Sequence, residues 1–348
     1  AVLIVLLELG FGFGHNFLQT IALWEQSNST AQLHYIAIER SPPTLAALKR
    51  VHALTKTAAS KRLLEIYPAG LAAWHVVWFT DQIRLTLIFE DAQTALPRLD
   101  AKVDVFYLDG FKPSQNPELF NQFIFEGMRR LAQPGASAST YSVAGVVKQG
   151  LRAAGFRIEK RQGWGRKREL LFAEAPGDWR GQRLRRPSVQ IIGAGIAGQS
   201  LAGSLNRFDI QPIILADPNH PGASSQPALN IYPQLSLRRD RLSEFSIAGC
   251  YFALHNQERV QRRPLHWHSA TPAKIQRMQR LSQLFPDDYL EQIDNEVTYH
   301  QAGIWQGLSP AGLQDAKVCE LRPSKGQMRL YDAAGHALSQ ADITLLAA

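Results

Sequence analysis

An unbroken apolar run, Val2-Leu3-Ile4-Val5-Leu6-Leu7, feeds directly into Glu8-Leu9-Gly10-Phe11-Gly12-Phe13-Gly14, and from His15 to Trp24 apolar residues return at helical spacing. A buried strand, a glycine loop and a helix in that order make the first unit of a doubly wound α/β sheet. Glycine at alternate positions lets the backbone approach a ligand where a Cβ would clash. The helix that follows turns its free N–H groups and positive dipole end toward the loop, where an anionic group can sit.

The dinucleotide fingerprint has the form G-x-G-x-x-G. Here the third glycine falls one residue early, and His15 occupies its place. The pattern E-x-G-x-G-x-G instead resembles the first motif of class I S-adenosylmethionine-dependent methyltransferases. That resemblance implies a loop wrapped around the methionine part of the cofactor, with Glu8 at the strand end helping to hold it. Without the resemblance, the stretch reads as a glycine turn in a core strand-helix unit.

At 348 residues and 45% hydrophobic content, the chain has room for two domains with sizeable cores. Cys250 and Cys319 have no metal-binding spacing and suggest no disulfide framework, so a reducing cytoplasm is the expected location. The opening apolar run is too short for a membrane helix and lacks the basic start of a signal peptide. A chain that opens on a strand predicts further residues upstream. The net charge is +8, and much of it is local: between Arg157 and Arg186 ten Lys and Arg face four Asp and Glu. A concentrated basic stretch points to a polyanionic partner, nucleic acid first, or else to a solvated surface strand and linker.

Further along, Leu33–Glu39 reads as a second parallel strand whose terminal Glu39 is placed to accept ribose hydroxyls. Ser41-Pro42-Pro43 predicts an N-cap and first turn of a helix reaching Val51. Residues 74–79 and 84–89 predict a hairpin, with an acid at its end, Glu90 or Asp91, able to reach an adenine amino group. Val103–Leu108 is another buried strand, delivering Asp109-Gly110-Phe111-Lys112-Pro113 to the carboxyl edge of the sheet. A helix is expected from Asn116 to about Leu131, a short strand over 138–142, a helix over 146–154, and a closing antiparallel pair over 156–161 and 169–173. Phe111, Tyr141 and Trp164 are candidates to stack on a flipped base, each with core packing as the plainer reading.

Pro176–Pro187 reads as a polar, basic linker. A second strand-loop-helix follows, with Gly193-Ala194-Gly195-Ile196-Ala197-Gly198 carrying a full G-x-G-x-x-G and Asp217 about 20 residues on. The fingerprint does not separate FAD from NAD. Helices are expected over 243–260 and 273–284, and strands over 325–332 and 343–346.

The order of these motifs resembles the bacterial family of bifunctional tRNA 5-methylaminomethyl-2-thiouridine biosynthesis proteins. The matching stretches are Glu8–Leu18, Phe106–Phe120, Gly163–Leu171, Val189–Ala202 and Gly222–Ser236. The resemblance implies an α/β chain with a class I methyltransferase domain over 1–175, a basic linker over 176–187 and an incomplete FAD-binding Rossmann-type oxidoreductase domain over 188–348. It implies that FAD supports removal of a carboxymethyl group from a wobble uridine of tRNA, and that S-adenosylmethionine then methylates the exposed amine. It further implies Asp109 as the catalytic residue and Glu8, Gly10, Gly12, Gly14, Asn16, Glu39 and Asp91 at S-adenosylmethionine. Gly193, Gly195, Gly198, Asp217, Gly222, Ala223 and Ser224 fall at FAD, Arg166, Lys167 and Arg168 at tRNA, and no metal is expected. Ser225 and Leu229 stand where the family usually has glycines, so weak flavin binding is expected. An NAD-dependent oxidoreductase with two Rossmann units and a non-catalytic tRNA-binding remnant are the rival readings.

Overall fold

The computed structural model describes residues 2–68, 71–110, 113–162, 169–180, 182–183, 186–216, 228–238, 240–268, 271–285, 287, 289–293, 296–300, 302–306, 314–315, 320–324, 327–331 and 343–346. The chain divides into two compact units. The first comprises Ala1–Arg183, Gln234–His255 and Gln283–Asp288, and the second comprises the remainder.

The first unit is built on one sheet. Its strands are β1 (Val2–Leu9), β2 (Gln32–Ile38), β3 (Trp74–Trp78), β4 (Ile83–Ile88), β5 (Val103–Leu108), β6 (Ala132–Thr140), β7 (Arg157–Gln162), β8 (Glu169–Glu174) and β9 (Gln182–Arg183). The strand order is β3-β4-β2-β1-β5-β6-β8-β7. β4, β2, β1, β5 and β6 run parallel, while β3 and β8 run antiparallel to their neighbours. The winding reverses at β1, whose neighbours are β2 on one side and β5 on the other, so a ligand crevice is expected at their carboxyl ends. β1 is buried from Val5 to Leu9, as a central parallel strand covered on both faces must be.

Helix α1 (His15–Gln26) buries Phe17 and Ile21, one turn apart, against β2 and β4 neighbours such as Tyr35 and Leu85. Helices α2 (Leu45–His52), α3 (Ala58–Ile66), α4 (Ala92–Arg98), α5 (Gln122–Leu131) and α6 (Gly145–Ala153) complete the layers. A second cluster on the opposite face gathers Leu7, Leu9, Phe106, Phe125, Met128 and Leu151.

Several local expectations are corrected. α2 is capped by Thr44, whose side chain accepts from the Ala47 N–H, while Ser41 and both prolines stay outside the helix. The expected helix from Asn116 is two elements, a 3-10 turn over Pro117–Phe120 and α5, because the Asn121 side chain accepts from the Ile124 N–H and restarts the helix. β6 begins at Ala132 rather than 138 and accommodates Pro134-Gly135 beside a register shift, with Gly135 at φ 73°. α3 and α4 were not anticipated; α4 contains Pro97, which reads as a breaker. The helix expected over 243–260 spans Arg241–Asn256, with Val260–Arg262 forming a strand instead.

Part of the stretch read as linker is packed on the sheet. β9 pairs antiparallel with Val2 and Leu3, whereas β5 pairs with β1 only from Leu6. Between the two, the buried Asp104 carboxylate accepts from the Val5 N–H at 2.8 Å, from Gln133 Nε2 at 2.8 Å and from Trp179 Nε1 at 2.7 Å. One side chain thus substitutes for a missing ladder bond and fastens the following segment.

The second unit has a parallel sheet of β10 (Val189–Ile192), β11 (Ile213–Ala216) and two strands at Gln314–Asp315 and Ile343–Leu346, in the order 314–315, β11, β10, 343–346. Helix α7 (Ile196–Asn206) connects β10 to β11, and Val189, Ile191 and Ala202 form a small buried cluster between them. Two three-stranded antiparallel sheets and a hairpin over 320–331 belong to the same unit.

The Asp104 contacts give a stability expectation. Asp104→Ala leaves the buried Val5 N–H without its acceptor and releases Trp179, so urea unfolding should show a loss of about 3 kcal/mol, with Asp104→Asn losing less. An unchanged midpoint for Asp104→Ala would mean that the carboxylate does not secure this edge.

Candidate active site

Gly10, Gly12 and Gly14 all have positive φ, at 98°, 52° and 76°. Each has its own reason. Gly10 lies at the end of β1, where its N–H donates to the Ile38 carbonyl and an added Cβ would stand 2.6 Å from the Asp109 carbonyl oxygen. Gly14 is the left-handed N-cap of α1, packed against Phe11 and Leu63. At Gly12 an added Cβ would meet nothing within 4 Å, so this glycine faces open space.

That space is a cleft of about 590 Å³ lined by the glycine loop, Asn16, Glu39, Arg40, Asp91, Asp109 and Tyr141, among others. The expected residues Glu39, Asp91, Asn16 and Asp109 converge here from the ends of four different segments. Glu39 binds the loop: one carboxylate oxygen accepts from the Gly12 N–H at 2.9 Å and the other from the Ser41 N–H at 2.8 Å. Asp91 caps α4 by accepting from the Gln93 N–H and pairs with Arg40 at 3.6 Å on the rim.

Beneath the loop, Glu8 is fully buried, accepting from the Tyr35 hydroxyl at 2.8 Å and from Asn16 Nδ2 at 2.8 Å. Asn16 Nδ2 also donates to Asp109 Oδ2 at 2.7 Å, so one amide group spans both carboxylates. Burial pushes the Glu8 carboxyl up to about 8; the Asn16 and Tyr35 bonds act against it, and the charges of Asp109 and Glu39 add to it. Asp109 is exposed, with its backbone N–H on the Leu9 carbonyl. The Tyr141 hydroxyl donates to the Gly110 carbonyl at 2.7 Å, fixing the loop after Asp109, and desolvation followed by the Asp109 charge raises its pKa. Tyr35 and Arg40 escaped sequence reading. Tyr35 looks like any core residue of β2, and nothing in the sequence pairs Arg40 with Asp91.

In the second unit, Gly193 has φ 103° and its N–H donates to the Leu215 carbonyl, while a Cβ at Gly198 would stand 2.0 Å from the Gly193 carbonyl oxygen. The third glycine of this fingerprint is therefore required for α7 to pack on its own loop, and Gly195 is the residue before the helix. Asp217, Gly222, Ala223, Ser224 and Ser225 lie outside the described residues, as do Arg166, Lys167, Arg168, Phe111 and Trp164. Among the described residues no cluster of His, Cys, Asp or Glu is placed to hold a metal, and no helix is long and apolar enough to cross a membrane.

The strand order, the reversal at β1 and the acid-lined glycine cleft define the first unit as a class I methyltransferase domain. Residues 55–176 match the family model of S-adenosyl-L-methionine-dependent methyltransferases, so the domain is of the S-adenosylmethionine-dependent kind. The resemblance drawn from the motifs is borne out. The chain is 33% identical, over 99% of its length and 62% of the relative's, to the tRNA 5-methylaminomethyl-2-thiouridine biosynthesis bifunctional protein MnmC of Thiobacillus denitrificans. It is 34% identical to the protein of the same name from Aeromonas hydrophila, over 91% of this chain and 54% of that one. Among solved structures, MNMC2 from Aquifex aeolicus shares 23% identity at a TM-score of 0.40, covering 51% of this chain and 55% of the other. The chain spans about half the length of the curated relatives it matches.

The buried Glu8 carries a pH expectation. Its folded pKa lies above its unfolded value of 4.5, so the folded state holds the extra proton between pH 4.5 and about 8. The stabilisation is complete below the unfolded value and is lost as pH rises through the folded one, by up to about 1.4 kcal/mol per pH unit. Thermal unfolding between pH 5 and 8 should therefore show wild type losing stability relative to Glu8→Gln. Parallel curves for the two proteins would contradict it.

Proposed function

We propose that the first unit methylates a primary alkylamine on a wobble uridine of tRNA, with S-adenosylmethionine as donor and Asp109 as catalytic base. The observation that carries this reading is the clustering of Glu8, Glu39 and Asp109 around one glycine loop. Glu39, Asp91 and Asp109 line the cleft, and their carboxylates favour a ligand that bears positive charge and disfavour the pyrophosphate of NAD, which argues against a first nucleotide unit of the dehydrogenase kind. The bound donor supplies a methyl carbon made electrophilic by a cationic sulfur. Gly12 leaves space for its chain, Glu39 retains acceptor capacity for ribose hydroxyls beyond its two backbone bonds, and Asp91 is at the rim for the base. These assignments extend to Gly10 and Asn16 as parts of the same wall, with Gly14 starting the helix that carries Asn16.

An attacking amine must be neutral, yet alkylamines protonate with a pKa near that of lysine, about 10.4. Asp109, exposed at the sheet edge, holds the ammonium by charge and orients it. An Asp109 oxygen would first take one proton from the ammonium; the lone pair this frees would form the new N–C bond as the donor's C–S bond breaks toward sulfur, leaving a secondary ammonium and a neutral thioether. Asn16 keeps that carboxylate in place by sharing its amide group with Glu8.

The names of the relatives, the Gly193–Gly198 loop and its helix support a second activity in which FAD serves the oxidation preceding methylation. Gly193, Gly195 and Gly198 would hold the pyrophosphate. Asp217 and the Gly222–Ser224 stretch are assigned to the same cofactor from the family pattern alone. The protein would act in the cytoplasm, where its tRNA is, with Arg166, Lys167 and Arg168 on phosphates.

Asp109→Ala should keep its affinity for S-adenosylhomocysteine by calorimetry and lose methyl transfer to tRNA by about 10²–10⁴-fold, whereas Gly12→Val should lose the affinity. Near-normal turnover in Asp109→Ala would remove it from the reaction. Neutralising any one of Arg166, Lys167 or Arg168 should reduce the slope of log K against log salt for tRNA by roughly 0.7–0.9, and an affinity indifferent to salt would refute the contact.

A further inference from the structure

The first unit carries two clefts that meet at Asp109, of about 590 and 290 Å³, and the larger opens on the glycine loop. The backbone of that loop is bonded in a definite pattern. The Gly14 N–H donates to the Phe11 carbonyl at 2.9 Å, and the Gly12 N–H reaches the Glu39 carboxylate. The Phe13 carbonyl precedes the N-cap of α1 and lies outside the helical ladder; it accepts from His52 Nε2 at 2.7 Å. The peptide units 11–12 and 13–14 are therefore each bonded at both their N–H and their carbonyl.

We propose that His52 is a positioning residue for the S-adenosylmethionine site: its imidazole anchors the glycine loop in the shape that receives the donor. The inference rests on reading the larger cleft as the donor site and adds a residue that does not itself line it. A loop with three glycines at positive φ has wide conformational freedom when nothing holds it. Fixing its peptide units before the donor arrives lowers the ordering cost of binding.

The chemistry of the contact assigns the roles. A carbonyl oxygen only accepts, so Nε2 carries the proton and donates. The other ring nitrogen, Nδ1, is buried and has no hydrogen-bond partner among the described residues. An apolar side chain would fill this place without an orphaned nitrogen, so packing alone does not account for a histidine here. Its placement is equally specific. His52 is the last residue of α2 and shares a buried face with Leu48, one turn earlier. Glu39 follows β2 directly, so the connection from the end of β2 through α2 grips the loop at both ends, at the Gly12 N–H and at the Phe13 carbonyl. The His52 ring also stands 5.5 Å from that of His15, which does line the cleft.

The test measures S-adenosylhomocysteine affinity by calorimetry in wild type, His52→Phe and His52→Gln, at a temperature where thermal melts show each protein folded. Phenylalanine keeps a ring but has no donor, whereas glutamine brings an amide N–H to the place of Nε2. The dissociation constant should rise about tenfold in His52→Phe, as for the loss of one hydrogen bond, and His52→Gln should stay within about threefold of wild type. Equal losses, the reverse order, or wild-type affinity in both would assign His52 to packing and overturn the proposal with the donor site intact. If His52→Phe does not fold, nitrogen NMR of histidine-labelled wild type decides, the His52 signal being the one missing in His52→Gln. A proton on Nε2 is expected there, and Nε2 without one overturns the proposal. If wild type itself does not bind S-adenosylhomocysteine, the reading of the cleft falls and the proposal falls with it.

Discussion

The close passage of two strand ends governs the first unit. Gly10 at the end of β1 and Asp109 at the end of β5 lie so near that a Cβ on the former would collide with the carbonyl of the latter. With Gly10 on the Ile38 carbonyl and Asp109 on the Leu9 carbonyl, the two loops leave the sheet together. Everything in the larger cleft is placed from that point: the loop bends away over Glu39, α1 begins at Gly14, and Asn16 on the first turn of α1 reaches both Glu8 and Asp109. A side chain at position 10 would force apart the strand ends that bring Asp109 and the glycine loop together.

A buried carboxyl such as Glu8 costs free energy unless it is hydrogen-bonded, and here both its oxygens accept, from Tyr35 and from Asn16. Because Asn16 serves Glu8 and Asp109 with one amide group, the buried acid and the exposed one are mechanically linked. Asp109 is thus held from within the core as well as by its own loop, which gives an exposed side chain a fixed orientation, as the proposed proton transfer requires.

The parts of this fold governed by short-range chemistry were legible in the sequence. β1, the glycine loop and α1 follow from an apolar run and a spacing, and the β7–β8 pair and the second fingerprint follow likewise. The convergence of Glu8, Glu39, Asp91 and Asp109 was legible because acids at the carboxyl ends of parallel strands share one edge of the sheet. What failed depends on a side chain choosing among backbone partners. Thr44 outcompeted Ser41 as a cap because two prolines intervene, and Asn121 restarted a helix that periodicity alone would run straight through. Pro97 sits in the last turn of a short helix, where the sequence suggested only a break. The role of Asp104 was hidden for a different reason: its three partners are contributed by β1, β6 and the stretch around Trp179, and no local pattern links them.

The proposed reaction sets a cationic donor beside a polyanionic acceptor, and the charges around the cleft are arranged to separate the two. The larger cleft is lined by Glu39, Asp91 and Asp109, and Arg40 among its described residues is paired with Asp91 at the rim. The basic residues gather instead on β7 and its surroundings, where Lys160 pairs with Glu169 and Arg161 with Glu159, each side chain about half exposed. Exposed pairs of this sort contribute only about 0–1 kcal/mol each, so exchanging a carboxylate for a phosphate there costs little. Arg161 also lies over the Phe172 ring at 3.4 Å, which keeps its stem extended along the strand while its charge remains available. The same pairs that neutralise the hairpin would therefore, under the proposed function, give way to a nucleic-acid backbone without weakening the carboxylates of the larger cleft.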